Sequence, residues 1–261
     1  MYRLSSGIIA LFLIVLATGS CKSGSKKDLS LTVEEYRKLG MPDHNKTWTN
    51  DDYVNANITL STLKTNYPLS LPRKNSKKSG EVFSRIVNEA NLSFIQDTVF
   101  PLRIRAYLIQ YFTHFESELE QFYSVESEGE NYYKEELVDL KILGLFVHEK
   151  MLELAWIIMD SDDESDKSIQ SGMQAVKHNY VRLIVRLLDE QVKTDEYKTM
   201  DLGRLSDKIS VSLIKNNEWF LPAERDTIIS HIEANTQKFP SEYNIKNNYI
   251  KTLKILKAAK N

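Results

Sequence analysis

Two histidines and a glutamate are the residues of this chain best suited to chemistry. His114 and Glu118 stand four positions apart, and Tyr107 lies seven before the histidine. On a helix advancing about 100° per residue, this spacing sets all three along one flank. His148 falls in a later helical stretch, opposite an acidic line of Glu135, Asp139, Glu149 and Glu153. Two imidazoles from adjacent helices, joined by a carboxylate, could bind a metal ion or relay a proton. The motifs that usually mark such sites are missing. The chain has no Glu-x-x-His pair of the di-iron type, and His148-Glu149 runs on as Lys150-Met151-Leu152 rather than closing His-Glu-x-x-His. The plainer reading is hydrogen-bonded core histidines. No cofactor or metal residue is therefore assigned, and His114, Glu118 and His148 stand as the candidates for any catalytic site.

Other charged clusters have bland readings too. The acidic run 160–166 lacks the turn glycine and twelfth-position glutamate of a calcium loop, so it reads as a linker capping the next helix. Lys246, Lys251, Lys254, Lys257 and Lys260 make the C-terminus basic, which suits a helix C-terminal end. Trp219-Phe220-Leu221 before Pro222 reads as a hydrophobic staple or a wedge between helices. There is no glycine-rich phosphate loop, no Gly-x-Ser-x-Gly elbow and no zinc spacing.

Only one cysteine occurs, Cys21. Ahead of it come Arg3, the apolar run 8–17 and the small residues Thr18, Gly19 and Ser20. A membrane-spanning helix needs about 20 apolar residues, whereas a secretory core needs roughly 7–15. The order of charge, apolar run, small residues and cysteine resembles the lipobox of bacterial lipoproteins. The resemblance covers the first two dozen residues and leaves the mature domain without a family. It implies that signal peptidase II removes residues 1–20 and that Cys21 is acylated, leaving no thiol to pair. Several acyl chains hold a protein firmly to a bilayer. Residues 21–31 then form a lipidated, flexible tether. Position 22 is lysine, not the aspartate that in this family often retains a lipoprotein in the inner membrane. Nor does the tether carry the acidic run of a surface-export signal. Both features point to the periplasmic face of an outer membrane.

The remaining stretch of about 240 residues is enough for one sizeable core or two small ones. Formal charge is −2, and about −3 without Arg3. A nucleic-acid binder would show a basic excess instead. The six prolines all fall between segments with helical periodicity, as a helical protein requires.

The elements that must position these residues follow from that pattern. We expect an all-α, multi-helix bundle of about seven or eight helices behind the tether: a helical segment over 32–67, an exposed loop over 68–80, and a bundle domain over 81–261. Thr32 and Glu35 form a capping box, with Gly40 as the stop. A second helix spans 50–66. From Glu81, Phe83, Ile86, Ala90 and Phe94 recur at helical spacing. Over 102–124, Ile104, Leu108, Tyr111, Phe115, Leu119 and Phe122 form an apolar stripe expected to face the core. A helix over 132–159 is apolar nearly all round and should be central. Helices over 168–192, from Asp201, from Pro222 and over 241–259 complete the set. With no catalytic motif, the expected role is a non-enzymatic scaffold or partner-binding protein of the envelope. The alternatives are a bundle enzyme or metal-dependent hydrolase using His114, Glu118 and His148, or a small-ligand carrier.

Overall fold

A computed structural model describes residues 28–95, 99–128, 130–160, 164–192, 199–239 and 242–259. These form nine α-helices and one minimal hairpin, an all-α bundle as the sequence leads one to expect. The helices are α1 (Val33–Lys38), α2 (Asn50–Asn66), α3 (Gly80–Ile86), α4 (Leu102–Tyr123), α5 (Lys134–Met159), α6 (Glu164–Glu190), α7 (Thr199–Lys215), α8 (Pro222–Thr236) and α9 (Ile245–Ala258). Between α4 and α5, β1 (Glu126–Ser127) pairs antiparallel with β2 (Glu130–Asn131).

Helix ends follow their local chemistry. At α1, Thr32 N–H bonds Glu35 Oε2 at 2.7 Å and Glu35 N–H returns to Thr32 Oγ1 at 3.3 Å. The chain then leaves through Gly40, whose φ of +100° suits a residue without Cβ. The same reciprocal box opens α2 between Thr49 and Asp52. Pro222 starts α8 at a first-turn position, where its missing N–H costs nothing.

The apolar periphery of α5 serves two cores. Leu140, Leu143, Val147 and Ile158 pack with α1–α4, while Val138, Leu145 and Leu152 pack with α6–α9. The first core is aromatic. Tyr53 meets Trp48, Phe112 and Phe115 edge to face at 4.3–5.2 Å, and Tyr123 meets Phe83 and Tyr133. The second is mainly aliphatic: Ile184, Leu187 and Leu188 of α6, Leu205, Ile209 and Leu213 of α7, and Ile228 and Ile232 of α8 are all buried.

Three expectations need correction, each for a physical reason. The helix expected onward from Glu81 breaks after Ile86 and resumes as a 3-10 turn, Glu89–Ile95. Asparagine side chains replace its backbone bonds there: Asn91 Nδ2 donates to Arg85 O, and Asn88 Oδ1 accepts from Ala90 N–H. The segment 68–80 is irregular but is not an exposed loop throughout. Leu71 is buried, and Tyr36, Tyr123 and Tyr133 donate their hydroxyls to the carbonyls of Ser70, Pro72 and Pro68. Finally, α4 is rotated from the expected face. Its buried line is Arg105, Ala106, Ile109, Phe112, Phe115, Glu116, Leu119 and Tyr123, leaving Ile104 exposed and Leu108, Tyr111 and Phe122 only partly covered. Two charged residues on the buried line disguised it. Arg105 is inside because its guanidinium donates to Ile95 O at 2.7 Å.

Candidate functional site

A cleft of about 370 Å³ opens between α4, α5 and α6. The α4 side supplies Thr113, Glu116, Ser117 and Glu120, α5 supplies His148, and α6 supplies Asn179, Arg182 and Arg186. Glu116 faces inward because it lies in phase with Ile109, Phe112 and Leu119. Its carboxyl occupies space that exists only because residue 144 of α5 is glycine. A Cβ there would overlap Glu116 Oε1 and stand 2.8 Å from its Cδ. A mid-helix glycine costs about 1 kcal/mol against alanine. The fold accepts that cost at the one point where α5 passes this carboxyl.

The electrostatics are set by burial. Glu116 is 5% exposed, and its buried Oε1 takes no hydrogen bond from the described residues. Desolvation, reinforced by Glu120, pushes its pKa up to about 8 against the opposing pull of Arg186 and Lys141. Glu120 is paired by charge, with Arg186 Nη1 at 3.5 Å and Lys141 Nζ at 4.0 Å. Lys141 is itself buried and bonds Glu190 Oε2 at 2.6 Å. The His148 ring bonds the Gly144 carbonyl through Nδ1 at 2.9 Å. Only a protonated Nδ1 can donate to a carbonyl, so Nε2 is left as an acceptor. Burial, with a further push from Arg186, lowers the His148 pKa and keeps the ring neutral near pH 7. The cleft thus combines a neutral acid, a neutral imidazole and two arginines. Such a set can exchange protons and grip a polar ligand.

The histidines named from sequence do not share this cleft. His114 is largely exposed, with Nε2 3.6 Å from Glu118 Oε1, and Glu118 accepts from Asn57 of α2 at 2.5 Å. Neither lines the cleft; only His148 does, hydrogen-bonded as the plainer reading expects. Glu116, Glu120, Arg182 and Arg186 were not found from sequence. The available signal was Glu116 in register with the aromatic line of α4, together with a lone glycine inside the longest apolar helix. No group of three or more His, Cys, Asp or Glu at metal-holding distances occurs among the described residues.

The remaining sequence candidates divide between the fold and the undescribed segments. Phe220 is buried and stacks on Tyr180 at 6.0 Å, and Trp219 meets Trp156 at 5.8 Å, while Leu221 is exposed. Of the C-terminal lysines, Lys257 pairs with Glu233 at 2.6 Å. Cys21, Lys260 and much of the acidic run 160–166 lie outside the described residues.

A second surface follows from the rotation of α4. Of the expected stripe, Ile104 is 45% exposed and Leu108 and Tyr111 are partly covered, and Tyr107, 66% exposed, and Phe100, 40% exposed just before the helix, extend this outer edge. Both flanks of the N-terminal half of α4 are therefore apolar, and only one of them is packed. Comparison of the chain with protein-family models, with curated proteins and with solved structures finds no match.

Proposed function

We propose that this chain is a lipid-anchored, non-catalytic binding protein of a bacterial cell envelope. Acylated Cys21 holds it to the periplasmic face of the outer membrane, and the outer edge of α4 engages another envelope protein. The observation that carries the binding role is that edge. Contiguous apolar surface on a soluble body is costly to leave in water and usually marks an interaction site. Ile104, Tyr107, Leu108 and Tyr111 follow helical spacing, so the edge suits the apolar face of a partner helix.

The anchoring role is supported by the order of residues before Cys21 and by the start of the described body. Asp28 is seven residues beyond the cysteine. Its carboxylate accepts from Ser30 N–H at 3.0 Å and Ser76 Oγ at 2.6 Å, which ties Asp28 to the 68–80 segment. An extended spacer of that length reaches at most about 25 Å, so the body stands close to the lipid. No helix among the described residues is long and apolar enough to cross a membrane.

A photoreactive side chain at position 107 tests the binding role in intact cells. We expect one discrete adduct with an envelope protein, reduced about tenfold by Ile104→Asp. Substituting Ile250, an exposed apolar residue of α9, should leave it unchanged. Absence of an adduct, or one indifferent to Ile104→Asp, contradicts the reading.

A further inference from the structure

The cleft between α4, α5 and α6 has an inner wall and a rim of opposite needs. On the inner wall, Glu116 Oε1 and Glu120 Oε1 are both buried without a hydrogen-bond donor. Beside them His148, committed through Nδ1 to Gly144 O, offers Nε2 as a third acceptor. Two buried carboxyl oxygens that accept no hydrogen bond, Lys141 Nζ coming no nearer than 4.0 Å to Glu120 Oε1, together with a ring nitrogen on the same wall, suit a group rich in N–H. At the rim, Arg182 is exposed and makes no ion pair among the described residues. Its neighbour Arg186 is already engaged by Glu120 and Glu190. A free guanidinium calls for a carboxylate or similar acid. The volume of about 370 Å³ falls within the range of small-molecule sites.

We propose that this cleft binds a small zwitterion of the amino-acid class, its ammonium among Glu116, Glu120 and His148 and its acid group on Arg182. An ammonium offers three N–H donors that can be shared among the carboxyl oxygens and the ring nitrogen lining this wall, without the tight convergence a metal ion needs. The site shares no residue with the apolar edge of α4 and does not depend on the lipid anchor. The arrangement also accounts for two costly features, an unpartnered buried carboxyl and the helical glycine that makes room for it. Local choices that oppose stability concentrate at functional sites.

Protonation supports the same assignment. Burial, helped by Glu120 on its own helix and opposed by Arg186 on α6 and Lys141 on α5, keeps the proton on Glu116 at neutral pH, and His148 and Arg182 line the same cleft. An incoming ammonium displaces that proton, so binding should strengthen with rising pH until Glu116 is ionised without help.

Calorimetric titration of the mature chain in detergent tests the proposal. The probes are glycine, β-alanine, 4-aminobutyrate and 6-aminohexanoate, with butylamine and butyrate as one-ended controls. We expect at least one length to bind about tenfold or more tightly than either control, since each end adds a charge-assisted contact. Its affinity should fall by roughly tenfold per pH unit below pH 7. Glu116→Gln should weaken binding about tenfold and flatten the pH dependence. Arg182→Gln should weaken the amino acid about tenfold while leaving butylamine unchanged. Controls that bind as well as the amino acids, an Arg182→Gln effect equal for butylamine and amino acid, or no saturable binding by any probe would each overturn the assignment. Circular dichroism of the two variants separates lost binding from lost folding.

Discussion

The two cores on either side of α5 are built on different rules. On the side of α1–α4, tyrosines enclose irregular chain. Tyr36, Tyr123 and Tyr133 are buried, and their hydroxyls satisfy carbonyls of the 68–72 segment that no helix or sheet could serve. On the side of α6–α9, branched aliphatic residues pack helix against helix, and backbone groups are satisfied within each helix. Position and polarity are coupled at these three tyrosines, because each ring must fit and its oxygen must find a partner. In the second, shape decides at most positions, and its buried Tyr180 and Tyr249 bond the side chains of Ser212, Asn216 and Gln191 rather than irregular backbone.

Truncation should show the aliphatic rule most strongly. Leu205→Ala, at a fully packed site in α7, should cost about 2–5 kcal/mol in urea unfolding through lost transfer energy and the cavity left behind.

Glu116 sits where the two halves meet, and its substitution should act in the opposite direction. Its folded pKa of about 8 lies above the ordinary value of 4.5. The folded state therefore binds more protons across that window, and stability falls as pH rises through it. Glu116→Gln should stabilise the protein by on the order of 3 kcal/mol at pH 7, with the difference vanishing below about pH 4.5. Melting curves across that range measure it, and a constant difference at all pH values would show that Glu116 is not protonated in the fold.

Shape-conserving substitutions sharpen the contrast between the cores. Tyr133→Phe keeps the ring but removes the hydroxyl that donates to Pro68 O at 2.9 Å and accepts from Leu71 N–H at 3.0 Å. The loss should be about 1–3 kcal/mol, with faster hydrogen exchange at the Leu71 amide. Leu205→Met, also nearly isovolumetric, should cost less than about 1.5 kcal/mol. Equal costs for these two substitutions would erase the distinction between the halves.

That distinction also explains how much could be read from the residues. The stripe Leu202, Leu205, Ile209 and Leu213 in α7, the line Ile228, Ile229 and Ile232 in α8, and the Thr32–Glu35 cap behave as their spacing says. Aliphatic helix packing is periodic, and capping is local. The aromatic half departs from that pattern because its polar partners lie far away in sequence. Nothing near Leu71 announces that Tyr133 will bond it across 62 positions. The phase of α4 was hidden in the same way, since the bond from Arg105 to Ile95 O and the recess at Gly144 are tertiary facts. Charged residues on a helix suggest an outer face, and here two of them mark the inner one. The cleft is not legible in the sequence for that reason, and His148 lines it with Glu116, Glu120 and Arg186 rather than with His114 and Glu118.

The proposed anchor at Cys21 places the helical body at a membrane surface. Intact-mass measurement of the protein extracted from its native membrane fraction tests this directly. The account predicts a mature chain starting at Cys21 and heavier than its peptide mass by a diacylglyceryl group and any amine-linked fatty acid. A chain still carrying Met1, or one recovered from the soluble fraction with a free Cys21 thiol, would contradict it.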